Sequence, residues 1–224
     1  MMENTEKKST SAWVVILFWA SIWGIAEATL GWILHMSHTP GVGYILFPIA
    51  LLCMTSAISQ TGKTRSAVYV ALGAAVIKLS DLFLLGGCPF FYVTNPAVYI
   101  ALEGVATAIF FQWTERFALN SPARYLKAFG VGLVSLLTTF VAFKCWQAGM
   151  SEFVTHNPGV DLFWHSSRLY PAALQLITES LWLTGALWLS GIFSKKGSLA
   201  SRKISPALAG LTGMVAVILT MVTF

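Results

Sequence analysis

Residues 12–35 read AWVVILFWASIWGIAEATLGWILH, an apolar stretch in which Glu27 is the one charged side chain. A helix that crosses a bilayer needs about 20 predominantly apolar residues, and this stretch is long enough. A signal peptide has a shorter apolar core that is followed by a small-residue cleavage site. The stretch lacks both features, so the sequence predicts a first membrane-spanning helix that is not cleaved.

Six further apolar segments follow the first, at 41–59, 66–85, 95–113, 126–147, 171–193 and 206–224. The 224 residues of the chain are 56% hydrophobic and 10% charged, whereas soluble domains have about 25% charged residues. The connections between segments are too short for a second domain. We therefore expect an all-α fold, a single-domain polytopic helical bundle with about seven transmembrane helices, the seventh of which lacks charged anchors.

The basic residues predict how the bundle is oriented, because lysine and arginine concentrate in short cytoplasmic loops. If successive segments cross the membrane in opposite directions, most basic residues fall on the same side of it. They are Lys7, Lys8, Lys63, Arg65, Arg116, Arg124, Lys127, Lys195, Lys196, Arg202 and Lys203. The other side receives Arg168. We therefore expect a cytoplasmic N-terminal tail at 1–11, a longest external loop at 148–170 and a multi-pass protein of the plasma (inner) membrane. Because the basic residues set this orientation, no nucleic-acid partner is expected.

Ionisable side chains occur inside the apolar segments, where a charge costs roughly 2.5 to over 10 kcal/mol at the bilayer centre. They are Glu27, Lys78, Asp81, Glu103, Lys144 and Glu179. In the predicted topology all of them lie between the midplane and the outer surface, which suggests one shared site. Four acids and two lysines leave a formal surplus of negative charge that protons, a cation or a positively charged ligand would match.

Helical spacing predicts which side chains lie beside the ionisable residues, since residues three or four apart share a helix face. The shared faces are Trp23 with Glu27, Lys78 with Asp81, Tyr99 with Glu103, and Gln175 with Glu179 and Trp182. Aromatic walls with a few convergent polar groups are typical of pockets for organic molecules. The alternative is structural: Lys78 and Asp81 form an ion pair, and the glutamates hydrogen-bond between helices.

Two histidines suggest a different chemistry at the end of the first segment. The pair His35 and His38 has a spacing that can supply half of a metal site, with Glu27 or a loop histidine completing it. Histidines at a membrane interface are the alternative reading of the same pair. The sequence leaves open whether any metal or other cofactor is bound.

Ala20, Gly24 and Ala28 form a ridge of small residues on the first helix, which lets another helix approach closely. That helix belongs either to this chain or to another protein. With this ridge, its length and its predicted outward pocket, the chain resembles the substrate-binding S components of energy-coupling-factor transporters. The resemblance implies capture of a vitamin-like solute from outside and partnership with a membrane coupling subunit and two ATPases. The sequence has no P-loop motif, so we expect ATP hydrolysis to belong to those partners.

Three functions remain open from the sequence. The first is binding or uptake of a small organic solute, with proton coupling as a variant, and it is the one we expect. The second is a non-catalytic subunit of a larger membrane complex, in which the charges are structural. The third is an intramembrane enzyme that acts on a lipid-like substrate, with Glu27 and the two histidines providing acid–base or metal chemistry.

Overall fold

The structure, a computed structural model, describes residues 11–31, 33–34, 37, 42–84, 90–117, 123–150, 166–196 and 204–222. All regular secondary structure in these ranges is helical. The helices are α1 (Ala12–Ala26), α2 (Val42–Thr61), α3 (Ser66–Leu79), α4 (Phe90–Phe117), α5 (Arg124–Met150), α6 (Ser166–Lys196) and α7 (Pro206–Val222). A π-helical turn, Glu27–Gly31, continues α1, and a short helix, Asp81–Leu84, follows α3.

Three of the described segments are long and apolar enough to cross a membrane: Ala12–Gly31, Val93–Arg116 and Arg124–Met150. Three shorter apolar helices accompany them, at Ile45–Thr61, Ser66–Leu79 and Pro206–Leu219. By length and composition the chain is therefore a helical membrane protein. The all-α class predicted from the sequence is confirmed.

The helices α2, α3, α4, α5 and α6 form a ring in which each helix contacts the next and α6 returns to α2. Helix α1 packs on the outside of α2 and α3, and α7 packs against α1. The ring brings side chains from non-consecutive helices to a common interior, which is where the buried charged residues of α4 and α6 lie.

Small residues allow α1, α3 and α4 to pack with their backbones close together. A Cβ atom added to Gly73 of α3 would lie 2.7 Å from the Ala20 Cβ of α1. One added to Gly24 of α1 would lie 2.9 Å from the Ile77 Cδ1 of α3. Of the two partners left open by the sequence for the small-residue ridge, the chain's own α3 contacts it at Ala20 and Gly24. Ala28, the third residue of the ridge, is also buried.

Local signals account for several helix ends. Gly62 has φ +68 and follows the last residue of α2, a left-handed position that glycine adopts without steric cost. Pro206 begins α7, as predicted, and the Ser205 hydroxyl accepts a hydrogen bond from the Leu208 amide at 3.1 Å. This is the contact that a serine N-cap makes.

Two predicted helix starts are wrong. Helix α4 begins at Phe90 and not at residue 95, so Pro96 lies inside it. Helix α6 begins at Ser166 and not at residue 171, so Pro171 also lies inside its helix. Because α5 extends to Met150, the predicted external loop at 148–170 is too long at both ends. In membrane helices neighbouring groups can satisfy the backbone that a proline leaves unpaired, which explains why these prolines do not end the helices.

Candidate functional site

The most connected polar cluster joins α4 and α6 inside the ring. Gln175 Nε2 donates to Glu179 Oε1 at 2.7 Å and to the Tyr99 hydroxyl oxygen at 2.8 Å. The Tyr99 hydroxyl in turn lies 3.5 Å from Glu179 Oε1. These three side chains form a triangle in which a tyrosine of α4 is tied to an amide and a carboxylate of α6.

Glu179 is fully buried, and only one of its carboxylate oxygens has a partner in the described part of the chain. Oε1 accepts the hydrogen bond from Gln175, whereas Oε2 has no partner among the described residues. A buried carboxylate oxygen without a hydrogen bond is costly in a folded protein. Oε2 is therefore the atom of this cluster that an added donor or cation would satisfy.

Glu103 lies within electrostatic reach of two other acids. Its side chain is buried at 7% exposure, and it interacts with Glu179 of α6 and with Glu27, the first residue of the π-helical turn. Both interactions are repulsive when the groups are ionised. Glu103 and Glu179 therefore lie on two helices of the ring, and Glu27 acts on Glu103 from the π-helical turn that continues α1.

The π-helical turn fixes Glu27 at the edge of this acidic group. Trp23 Nε1 donates to Glu27 Oε1 at 3.2 Å, and the indole is fully buried. A Cβ added to Gly31 would lie 3.5 Å from Glu27 Oε2 and 3.5 Å from the Leu46 side chain of α2. Turns of this type are rare and occur frequently at functional sites. No pattern in the sequence predicted this turn.

Lys78 and Asp81 form an ion pair at the end of α3, with 2.9 Å between Nζ and Oδ2. The Asp81 side chain is fully buried, and its Oδ1 atom has no partner among the described residues. Lys78 also interacts electrostatically with Glu27. Lys78 therefore interacts with both Asp81 and Glu27. The ion pair with Asp81 is the contact that the structural alternative predicted.

The structure places the remaining predicted residues differently. Lys144 donates to Gln147 Oε1 at 2.9 Å on its own helix and lies 5.6 Å from the centroid of the Phe140 ring. Trp182 is 46% exposed and does not belong to the cluster. The step of 100° per residue puts Trp182 about 60° around α6 from Glu179, on the side away from buried Leu183, so its role as a site residue stays a prediction.

The proposed metal site cannot be placed in the same way. His35 and His38 both lie outside the described residues. Within the described ranges, no group of three His, Cys, Asp or Glu side chains is arranged to hold a metal ion. Glu27, the third predicted ligand, instead accepts the hydrogen bond from Trp23.

Two interactions at the site were missed from the sequence. The Phe143 ring of α5 meets the Tyr99 ring edge-on at 5.1 Å between centroids. Trp146 Nε1 donates to Asn95 Oδ1 at 3.2 Å, which joins α5 to α4 one turn before Tyr99. The spacing of Asn95 and Tyr99, four residues apart, was the available signal, because it puts an amide on the same helix face.

The fold and this cluster define a class: an all-helical membrane protein with a buried acidic group inside a ring of helices. Comparison with known protein families, curated proteins and solved structures found no match to this chain. Its function is therefore inferred from its own residues and their geometry.

Proposed function

We propose that this chain is a multi-pass membrane protein that binds a small organic solute at the acidic cluster between α4 and α6. The observation that carries the proposal is the fully buried Glu179, whose Oε2 has no partner among the described residues while Tyr99 and Gln175 hold its other oxygen in place. A buried polar group that is oriented but unsatisfied is typical of a site that a ligand completes.

The surroundings of Glu179 support an organic solute. The edge-on pair of Tyr99 and Phe143 gives the cluster an aromatic wall, and Trp23 adds a buried indole beside Glu27. Ligand pockets in proteins combine apolar and aromatic walls with a few convergent polar groups. This composition also favours binding over a purely structural role for the charges, because a structural cluster would pair its carboxylates.

The proposed topology has seven spans, an N-terminus in the cytoplasm and the acidic cluster in the outer half of the bundle. The uneven loop distribution of lysine and arginine supports this orientation. Cysteine accessibility from outside intact cells tests the orientation. We expect a cysteine introduced at Ser205 to be labelled only after the cells are permeabilised, because residues 195–203 carry four basic side chains.

The resemblance to S components extends the proposal to a coupling partner with ATPases. The face of α1 that carries Ala20 and Gly24 is occupied by α3, so such a partner would bind another surface of this chain. Purification of this chain from its native membranes, followed by identification of the proteins that co-purify with it, tests the proposed partnership. It is independent of solute binding.

Native mass spectrometry in mild detergent tests the binding site itself. We expect a small organic molecule to co-purify with the wild-type protein and to be absent from Glu179→Gln. Glu115→Gln is the matched control, because Glu115 is exposed on α4 and lies about 18 Å along the helix from Glu103. Equal occupancy of Glu179→Gln and Glu115→Gln, with both variants folded, would refute the proposed site.

A further inference from the structure

We infer that the solute carries a positive charge, an organic ammonium group that binds against Glu103 and Glu179. This inference rests on the proposed function and names the class of molecule that the site takes. It follows from the balance of charge around Glu103 and from two buried polar atoms that have no partner among the described residues.

The charges that act on Glu103 are the first observation. Two carboxyl groups, those of Glu179 and Glu27, interact with it electrostatically. Lys78 pairs with Asp81 at 2.9 Å and also interacts with Glu27, so this one lysine faces two acids already. Like charges buried close together are stable only when a cation or protons match them. A cationic ligand beside Glu103 and Glu179 supplies that match.

Thr107 provides an observation that does not depend on the acids. It follows Glu103 by one turn on the same side of α4 and is fully buried. Its hydroxyl has no hydrogen-bond partner among the described residues, although a helical threonine usually bonds to the backbone one turn earlier. Thr107 Oγ1 and Glu179 Oε2 are thus two buried oxygens without a partner among the described residues, on the two helices that carry the site, and both can accept hydrogen bonds from an ammonium group.

An organic cation fits these groups better than a metal ion does. Metal ions require several ligands that converge at short distance, and no suitable group of three such side chains is present in the described ranges. The Tyr99 and Phe143 rings instead provide aromatic surface, which attracts an ammonium group through its electron-rich face. Tyr99 lies within electrostatic range of both Glu103 and Glu179, so the aromatic and acidic groups belong to one site.

Matched pairs of small molecules test the charge directly. The probes are two primary amines with their neutral isosteres, benzylamine with benzyl alcohol and cyclohexylamine with cyclohexanol, together with the anion benzoate. Each is titrated into the purified protein and followed by thermal unfolding. A charge-assisted hydrogen bond is worth at least about a tenfold preference in affinity. We therefore expect an amine to bind at least about tenfold more tightly than its neutral isostere, and the preference to disappear in Glu103→Gln and Glu179→Gln but not in Glu115→Gln.

The outcomes separate this inference from the proposed site. If neither amine binds more tightly than its neutral isostere, the inference that the solute is cationic is wrong. It is also wrong if benzoate alone stabilises the protein, or if calcium chloride or sodium chloride does so and the amines do not. None of these results affects the proposed site, because the comparison of Glu179→Gln with Glu115→Gln by mass spectrometry does not depend on the charge of the bound molecule.

Discussion

The substitution Gly104→Ala tests the close packing of α3 against α4, on which the position of Glu103 depends. An added Cβ would overlap the Ala71 methyl group, and it would lie 3.2 Å from the Ala67 carbonyl oxygen and 3.3 Å from the Val68 Cα. The last two are backbone atoms, so no side-chain rotation relieves the contact. The two helices must separate to accommodate the methyl group.

The expected cost is a difference between two effects. Overpacking by one methyl group costs typically 1–3 kcal/mol, while alanine is favoured over glycine in a helix by roughly 0.5–1 kcal/mol. We expect Gly104→Ala to lower the free energy of unfolding by about 1–2 kcal/mol. For a chain of this size, this corresponds to a fall in Tm of about 2–8 °C.

Thermal unfolding in detergent, followed by tryptophan fluorescence, measures this change. Gly130→Ala in α5 is the matched control, because a Cβ at Gly130 would have nothing within 4 Å. It should leave Tm unchanged or raise it, since only the helix-propensity gain remains. The double substitution Ala71→Gly with Gly104→Ala should cost less than the sum of the two single changes. A Tm for Gly104→Ala equal to that of Gly130→Ala would refute the packing described for these helices.

Other substitutions test the polar groups. Lys78→Met should lower the free energy of unfolding by about 3 kcal/mol, because it leaves buried Asp81 without its cation. Adding Asp81→Asn should restore most of the lost Tm. A double variant no more stable than Lys78→Met would contradict this. Tyr99→Phe should cost about 0.5–1.5 kcal/mol in thermal unfolding through the lost hydroxyl contacts, whereas Tyr69→Phe, at 39% exposure, should cost nothing measurable. Trp182→Ala should leave the co-purifying molecule bound when measured by mass spectrometry, because Trp182 is partly exposed. Loss of that molecule from the variant would support Trp182 as a site residue.

The helices could be predicted from the sequence because apolar length is a local property. The ends of α4 and α6 could not, because they depend on how a proline inside a helix is accommodated. Before Pro96, the Thr94 hydroxyl donates to the Phe90 carbonyl at 3.0 Å, so a side chain joins the backbone in the turn that precedes the proline. Whether a helix continues through a proline depends on its packing against neighbouring helices, which no spacing rule contains.

The candidate site shows the same division between local and non-local information. Contacts between residues three or four positions apart follow from helical spacing. The structure contains two that were predicted in this way, Trp23 with Glu27 and Lys78 with Asp81. The bond between Gln175 and Tyr99 joins residues that are 76 positions apart. It requires a particular rotation and shift of α6 against α4, which the apolar pattern of neither helix specifies.

A layer of buried apolar residues beyond the acidic cluster affects the route by which a solute could pass through the bundle. Phe47, Phe110, Leu136 and Leu183 are buried at 2% exposure or less and pack in one cluster. Phe110 follows Glu103 by about 10 Å along α4, and Leu183 follows Glu179 by about 6 Å along α6. A charged solute that reached the cluster would therefore meet closely packed apolar side chains on the far side. This arrangement favours binding from one end of the bundle, with release to the other end requiring a rearrangement of the helices.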